Sequence, residues 1–231
     1  QRRVTQRGQK PLMDLRVFEY RQFAMGSVVA FIYGTALFGS TYLLPVFMQL
    51  GLQLSPSHVG TIMLPSGIVL AITIPLVGRL ADRVATHWLV GMGLTLLGAS
   101  FALMMLVGLQ SALWTLVLFA LLGRIGLGFI LPSLNLGAMR PLDRALITQG
   151  SSVIGFVRML GGAAGVSLCG IVLEWRLGAH GDSLATATTS PARIAAFGET
   201  FLMLAGLCVL ALIAAWQLRG APAQAAAEPR P

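Results

Sequence analysis

Two arginines, Arg124 and Arg158, stand inside apolar runs that are otherwise free of ionisable residues, and three more charges, Arg79, Asp82 and Arg83, are packed into the five residues "RLADR" between two such runs. An arginine keeps its charge at any physiological pH, so neither buried one can escape by losing a proton. Arg124 lies about twelve residues from the near end of its run and Arg158 about thirteen, roughly 18 to 20 Å if both runs are helical. At that depth a charge costs at least about 2.5 to 3.5 kcal/mol unless it faces protein or a wet passage. Two uses are open for each: contact with a solute or a proton-carrying partner, or a bond to backbone carbonyls of neighbouring helices.

Other polar groups are sparse enough to name. Tyr33, Thr35, Tyr42 and Gln49 dot the first apolar run, and Asn135 follows Arg124 in a later one. Aromatic rings with a few polar groups suit flat, lipophilic and often cationic solutes, because π faces accept cations and apolar walls tolerate varied shapes. The plainer reading is packing, and Tyr42 and Gln49 fall near an interface where Tyr is common. Gly161, Gly162 and Gly165 follow Arg158, while Gly123, Gly126 and Gly128 surround Arg124. Small residues at these spacings let membrane helices approach closely.

The elements that must position these residues follow from composition. Of 231 residues, 56% are hydrophobic and only 10% charged, against roughly 25% charged in soluble domains. Six runs are long enough for a bilayer core of about 30 Å: 22–50, 57–78, 88–108, 112–139, 145–173 and 195–218. In hydrocarbon each must be a helix, because its backbone has to satisfy itself, and no alternation of apolar and polar residues speaks for a barrel. Pro65, Pro75 and Pro132 are expected to kink their helices. The expected organisation is a basic lead-in over 1–21, a six-helix transmembrane unit over 22–218 and a disordered tail over 219–231.

Cations sort by loop. Twelve Lys and Arg fall before the first run, in the second and fourth connections and in the tail; the other three connections hold only Arg176 and Arg193, both in the fifth. Basic loops stay in the cytoplasm, which places both ends of the chain there. Because three is odd, the second triplet of helices enters the membrane from the side opposite the first. The two triplets are therefore inverted repeats, as in half of a secondary transporter whose substrate site lies between two such halves.

"GRLADR", Gly78 to Arg83, resembles the signature loop of the major facilitator superfamily, and "PLMDLRVF", "LLGRIGLGFILP" and "FVRMLGGAAGVSL" resemble its drug:H+ antiporters with fourteen spans, the EmrB/QacA type. The resemblance runs from about Pro11 to Leu218. It departs after Arg83, where "VATHW" stands in place of a Gly and a basic pair. The resemblance implies a C-terminal six-helix half whose N-terminal part, with eight further spans, is missing here. It also implies that the first helix of each triplet lines the cavity, that Arg124 serves proton coupling, and that the loop acts as a latch. In such a latch Gly78 permits a tight exit, Asp82 caps a helix N-terminus or accepts from an Arg, and Arg83 pairs across the turn. A latch needs contacts made in one access state only; otherwise the turn simply fixes orientation.

Several function classes drop out. The chain begins "QRRVTQRGQK", polar where a signal peptide needs apolar residues, and starts with Gln, so it reads as part of a longer protein. The net charge of +8 is scattered among apolar runs instead of lining one face, which argues against nucleic acid. Cys169 and Cys208 lie alone in apolar runs, and His58, His87 and His180 in or beside loops, so neither a metal, a cofactor nor an enzymatic constellation is expected. With no phosphate-binding loop, transport would be secondary. The sequence thus predicts a proton-coupled drug exporter of the bacterial inner membrane, with a small-molecule substrate, protons, membrane lipid and the missing half as partners. An exporter of a siderophore, sugar or fatty-acid derivative, and an inactive fragment or scaffold, remain the alternatives.

Overall fold

A computed structural model of the chain describes residues 15–184 and 189–216. The lead-in up to Asp14 and the tail beyond Trp216 lie outside the described residues. Among the described residues six helices are long and apolar enough to cross a membrane: α1 Arg21–Val46, α2 Pro56–Ala81, α3 Thr86–Met104, α4 Leu113–Met139, α5 Arg144–Ala179 and α6 Pro191–Trp216. Among the described residues there are no strands.

Local signals set the ends. Ser55 caps α2, its hydroxyl accepting from the His58 amide, and Pro56 occupies the first helical position, where no N–H is needed. Ser190 caps α6 in the same way, accepting from the Arg193 amide at 3.0 Å. Pro45, Pro65, Pro75 and Pro132 all lie inside helices. Beyond Pro45, α1 loosens into a π-helical turn over Phe47–Gly51.

The packing respects the repeat. Exchange α1 with α4, α2 with α5 and α3 with α6, and the main pairings map onto one another. The α1–α5 pair maps onto α4–α2, and α3–α4 onto α6–α1, while α3–α6 and α1–α4 map onto themselves. The architecture is therefore all-helical, two inverted three-helix units that interlock through α2 and α5. A single core contains Phe23, Tyr33, Phe47, Phe101, Phe197 and Phe201. The outside is apolar too: Leu64, Ile68, Ile72 and Leu76 form an exposed stripe on α2, the helix with the smallest buried share. In water such a stripe would drive aggregation; against lipid or another apolar protein surface it is in its proper solvent.

Candidate functional site

Three of the polar residues named above lie near one another at mid-depth. Tyr33 on α1 lies within Coulombic range of the guanidiniums of Arg124 on α4 and Arg158 on α5. Counted from the first residue of their helices, all three sit about 16 to 21 Å along the axis. Tyr33 is 2% exposed and Arg124 9%, while Arg158 is half-buried.

Glycines bring these elements together. A Cβ at Gly34, next to Tyr33, would collide with the carbonyl oxygen of Arg158, and one at Gly161 with the carbonyl oxygen of Phe31. At Gly165 it would fall 2.5 Å from the Thr35 carbonyl oxygen. The backbones of α1 and α5 thus touch, and the Thr35 hydroxyl donates across the crossing to the Gly161 carbonyl at 2.9 Å. Gly162 faces the Phe38 ring. On α4 a Cβ at Gly126 would meet the Gly93 carbonyl oxygen at 2.7 Å, one at Gly128 the Thr73 methyl at 2.6 Å and one at Gly123 the Ser100 hydroxyl at 2.7 Å. These contacts seat α4, the helix that carries Arg124, against α3 and α2.

The cluster holds two cations and a phenol. The described carboxylates all lie elsewhere: Glu19, Asp82 and Asp143 towards the basic end, Glu174, Asp182 and Glu199 towards the other. Glu199, the one acid inside a predicted span, already accepts a bidentate pair from Nε and Nη2 of Arg176, with His180 Nε2 at 3.3 and 3.4 Å from its oxygens. The arrangement can therefore hold an anionic group or tune an acid brought from outside this chain, but it contains no proton carrier of its own.

The remaining expected residues stand apart. Tyr42 is half-buried nine residues further along α1, Gln49 lies on the π-helical turn, and Asn135 is exposed eleven residues beyond Arg124. In the "GRLADR" turn α2 does not end at Gly78: it remains helical through Ala81, and a Cβ at Gly78 would meet open space. Nothing there demands glycine's freedom, because the chain turns only at Asp82, which sits at the C-terminal end of α2 and not at a helix N-terminus. Among the described residues, Arg79, Asp82 and Arg83 make no side-chain hydrogen bond or ion pair. Cys169 and Cys208 are free and buried, and no group of metal-ligating residues occurs among the described residues.

A second polar system was not anticipated. Arg193, 1% exposed, bonds Asp182 through Nη2 at 3.0 Å and Nε at 3.3 Å, and donates to the carbonyls of Ser183 at 2.6 Å and Leu50 at 3.3 Å. The Ser190 hydroxyl donates to Asp182 at 2.7 Å, and Thr189 donates to the Gly51 carbonyl. Ser190, Arg193 and the Ser183 amide hold the Asp182 carboxyl well below the usual carboxylate range. This knot ties the α5–α6 connection to the end of α1. Its one sequence signal was the pair of opposite charges flanking a short connection; the tie to Leu50 and Gly51 had none.

Six apolar helices in two interlocked inverted triplets are the architecture of a multi-pass membrane protein. The sequence model of the Major Facilitator Superfamily matches residues 1–166, and the chain belongs to that family. Among curated relatives, the chain is 29% identical over 171 residues to the colistin resistance protein EmrB of Acinetobacter baumannii, a match covering 74% of this chain and 33% of that protein. It is 30% identical over 163 residues to the lincomycin resistance protein LmrB of Listeria innocua, covering 69% and 34%. A multidrug resistance protein B homolog of Mycobacterium tuberculosis is 28% identical over 183 residues, covering 78% and 34%. The chain thus spans about a third of the length of these relatives.

Proposed function

We propose that this chain is the C-terminal half of a proton-coupled exporter of lipophilic or cationic drugs that works by alternating access in the bacterial inner membrane. The observation that carries the reading is the placing of Tyr33, Arg124 and Arg158 near one another at mid-depth on α1, α4 and α5, where Gly34 packs against the Arg158 carbonyl. The resistance proteins among the bacterial relatives support a drug as cargo. The twelve-to-two sorting of cations supports cytoplasmic termini, with 1–21 as the lead-in, 22–218 as the transmembrane half and 219–231 as the tail. The exposed faces of α2 and α5 are where a second half would close the cavity.

The roles divide by chemistry. Arg124 never releases its proton, so it acts on a carboxylate elsewhere in the longer protein, lowering that group's proton affinity when the two approach. Arg158 supplies a second positive charge and Tyr33 a hydroxyl and a π face. Tyr42 on α1, Gln49 on the turn beyond it and Asn135 on α4 extend the wall. Gly126, Gly128, Gly161, Gly162 and Gly165 keep the helices close enough to slide, and the Gly78–Arg83 turn makes its latch contacts with the other half in one access state.

Uptake of a fluorescent lipophilic cation into everted membrane vesicles, with and without an uncoupler, tests this. Uptake should stop on adding the uncoupler and in Arg124→Ala. Uptake indifferent to the uncoupler would exclude antiport. The doubly positive wall favours a second reading, export of a carboxylate-bearing solute such as a siderophore or fatty-acid derivative. Uptake of a labelled fatty-acid derivative in place of the cation would establish that alternative.

A further inference from the structure

A groove of about 620 Å³ opens on the perimeter of the bundle at the basic end. Its walls are Leu80 and Val84 around the α2–α3 turn, Trp88 and Met92 on α3, and Leu212 and Trp216 on α6. The helices that form it carry none of the three residues of the candidate site. From Trp88 to Thr95 the α3 wall runs about 10 Å along the axis, and the turn lengthens it further. That is most of the hydrocarbon depth of one leaflet, about 15 Å.

The lining speaks against a compact solute. Thr95 spends its hydroxyl on the Gly91 carbonyl of its own helix, at 2.9 Å, and the other polar side chains of the lining, His87, Trp88 and Trp216, belong to the first turn of α3 and the end of α6, so the inner walls offer little to orient a polar ligand. Charge is confined to the mouth. Arg79 and Arg83 are the chain neighbours of the wall residues Leu80 and Val84, both exposed, with exposed Asp82 between them. The turn therefore keeps a net positive charge where the groove meets the interface. Trp88 and Trp216, largely exposed on α3 and α6, have the amphipathic rings that settle at headgroup level.

We propose that this groove binds an anionic glycerophospholipid, one acyl chain lying along α3 and α6 and the phosphate held by Arg79 and Arg83. Apolar walls of leaflet depth ending in a pair of cations match that molecule end to end, and basic sites on the cytoplasmic side are where anionic headgroups collect. A zwitterionic lipid offers the same chain without the net charge. The proposal does not depend on which solute is carried.

The test is native mass spectrometry of the detergent-purified chain, loaded with phosphatidylglycerol or with phosphatidylethanolamine of the same chain length. Phosphatidylglycerol should be retained about tenfold or more better, and the double variant Arg79→Gln/Arg83→Gln should remove that preference. Gly91→Leu should displace both lipids by filling the groove; it is tolerated because a Cβ there meets only Leu212 Cδ1, at 3.9 Å. Gel filtration as a single peak confirms that each variant is folded. Equal retention of the two lipids, or retention unmoved by either variant, would overturn the proposal, and so would cross-linking of another protein segment into the groove.

Discussion

Replacing Gly165 by alanine should weaken the crossing on which the candidate site rests. The new Cβ would lie 2.5 Å from the Thr35 carbonyl oxygen and 2.6 Å from its Cα, both backbone atoms with no rotamer to escape into. Side-chain Cβ atoms essentially never come closer than 3.0 Å, so α1 and α5 must part by at least 0.5 Å, or by 0.9 Å to reach the ordinary contact distance of 3.4 Å. The Thr35 to Gly161 hydrogen bond, now 2.9 Å, then stretches to the limit of a useful bond. Overpacking of this kind costs about 1 to 3 kcal/mol, and a lost interhelical hydrogen bond in a membrane adds about 0.6. For a chain of this size that corresponds to a fall in Tm of about 3 to 14 °C. The assay is thermal unfolding in detergent, followed by tryptophan fluorescence. Gly170→Ala, on the same helix with open space around its Cβ, serves as the control and should cost nothing. If the two variants melt together, the close approach of α1 and α5 is not what holds the site.

Arg124→Lys keeps the charge but loses the planar fork, so it should retain membrane insertion and lose most proton-driven uptake; full activity would reduce Arg124 to a point charge. Tyr33→Phe should leave Tm within about 1 °C, because the ring stays packed, yet change the affinity for solute; an unchanged KM would remove the hydroxyl from the site. Asp182 has its carboxyl depressed by Ser190 and Arg193. Its contribution is therefore complete above the ordinary carboxylate value of about 4 and lost only as pH falls through the depressed value. Limited proteolysis of the 180–190 connection should be the same at pH 7 and pH 5 in the natural protein and faster at both in Asp182→Asn; a rise between pH 7 and 5 would contradict the depressed value. Cys169 and Cys208, both buried, should resist maleimide until the protein is unfolded, and rapid labelling of the native protein would contradict the packing around them.

What the sequence determined is what hydrocarbon dictates locally. A run of about twenty apolar residues has one low-energy backbone there, so the number of helices follows from composition, and most of their ends fall within a few residues of those expected. The inversion of the triplets follows from three being odd. Arg124 and Arg158 were conspicuous because an unneutralised charge at that depth is costly wherever it points. Tertiary structure decided which charges have partners: Glu199 belongs to Arg176 and His180, and Arg193 to Asp182 and the end of α1. It also selected Tyr33 from the scattered polar residues, through Gly34, a glycine without a conspicuous motif whose missing side chain lets the carbonyl of Arg158 come to rest beside it. The reason is range. Solvation acts on each residue in its own segment and can be read one segment at a time, whereas pairing and close approach depend on which faces two distant helices turn toward one another.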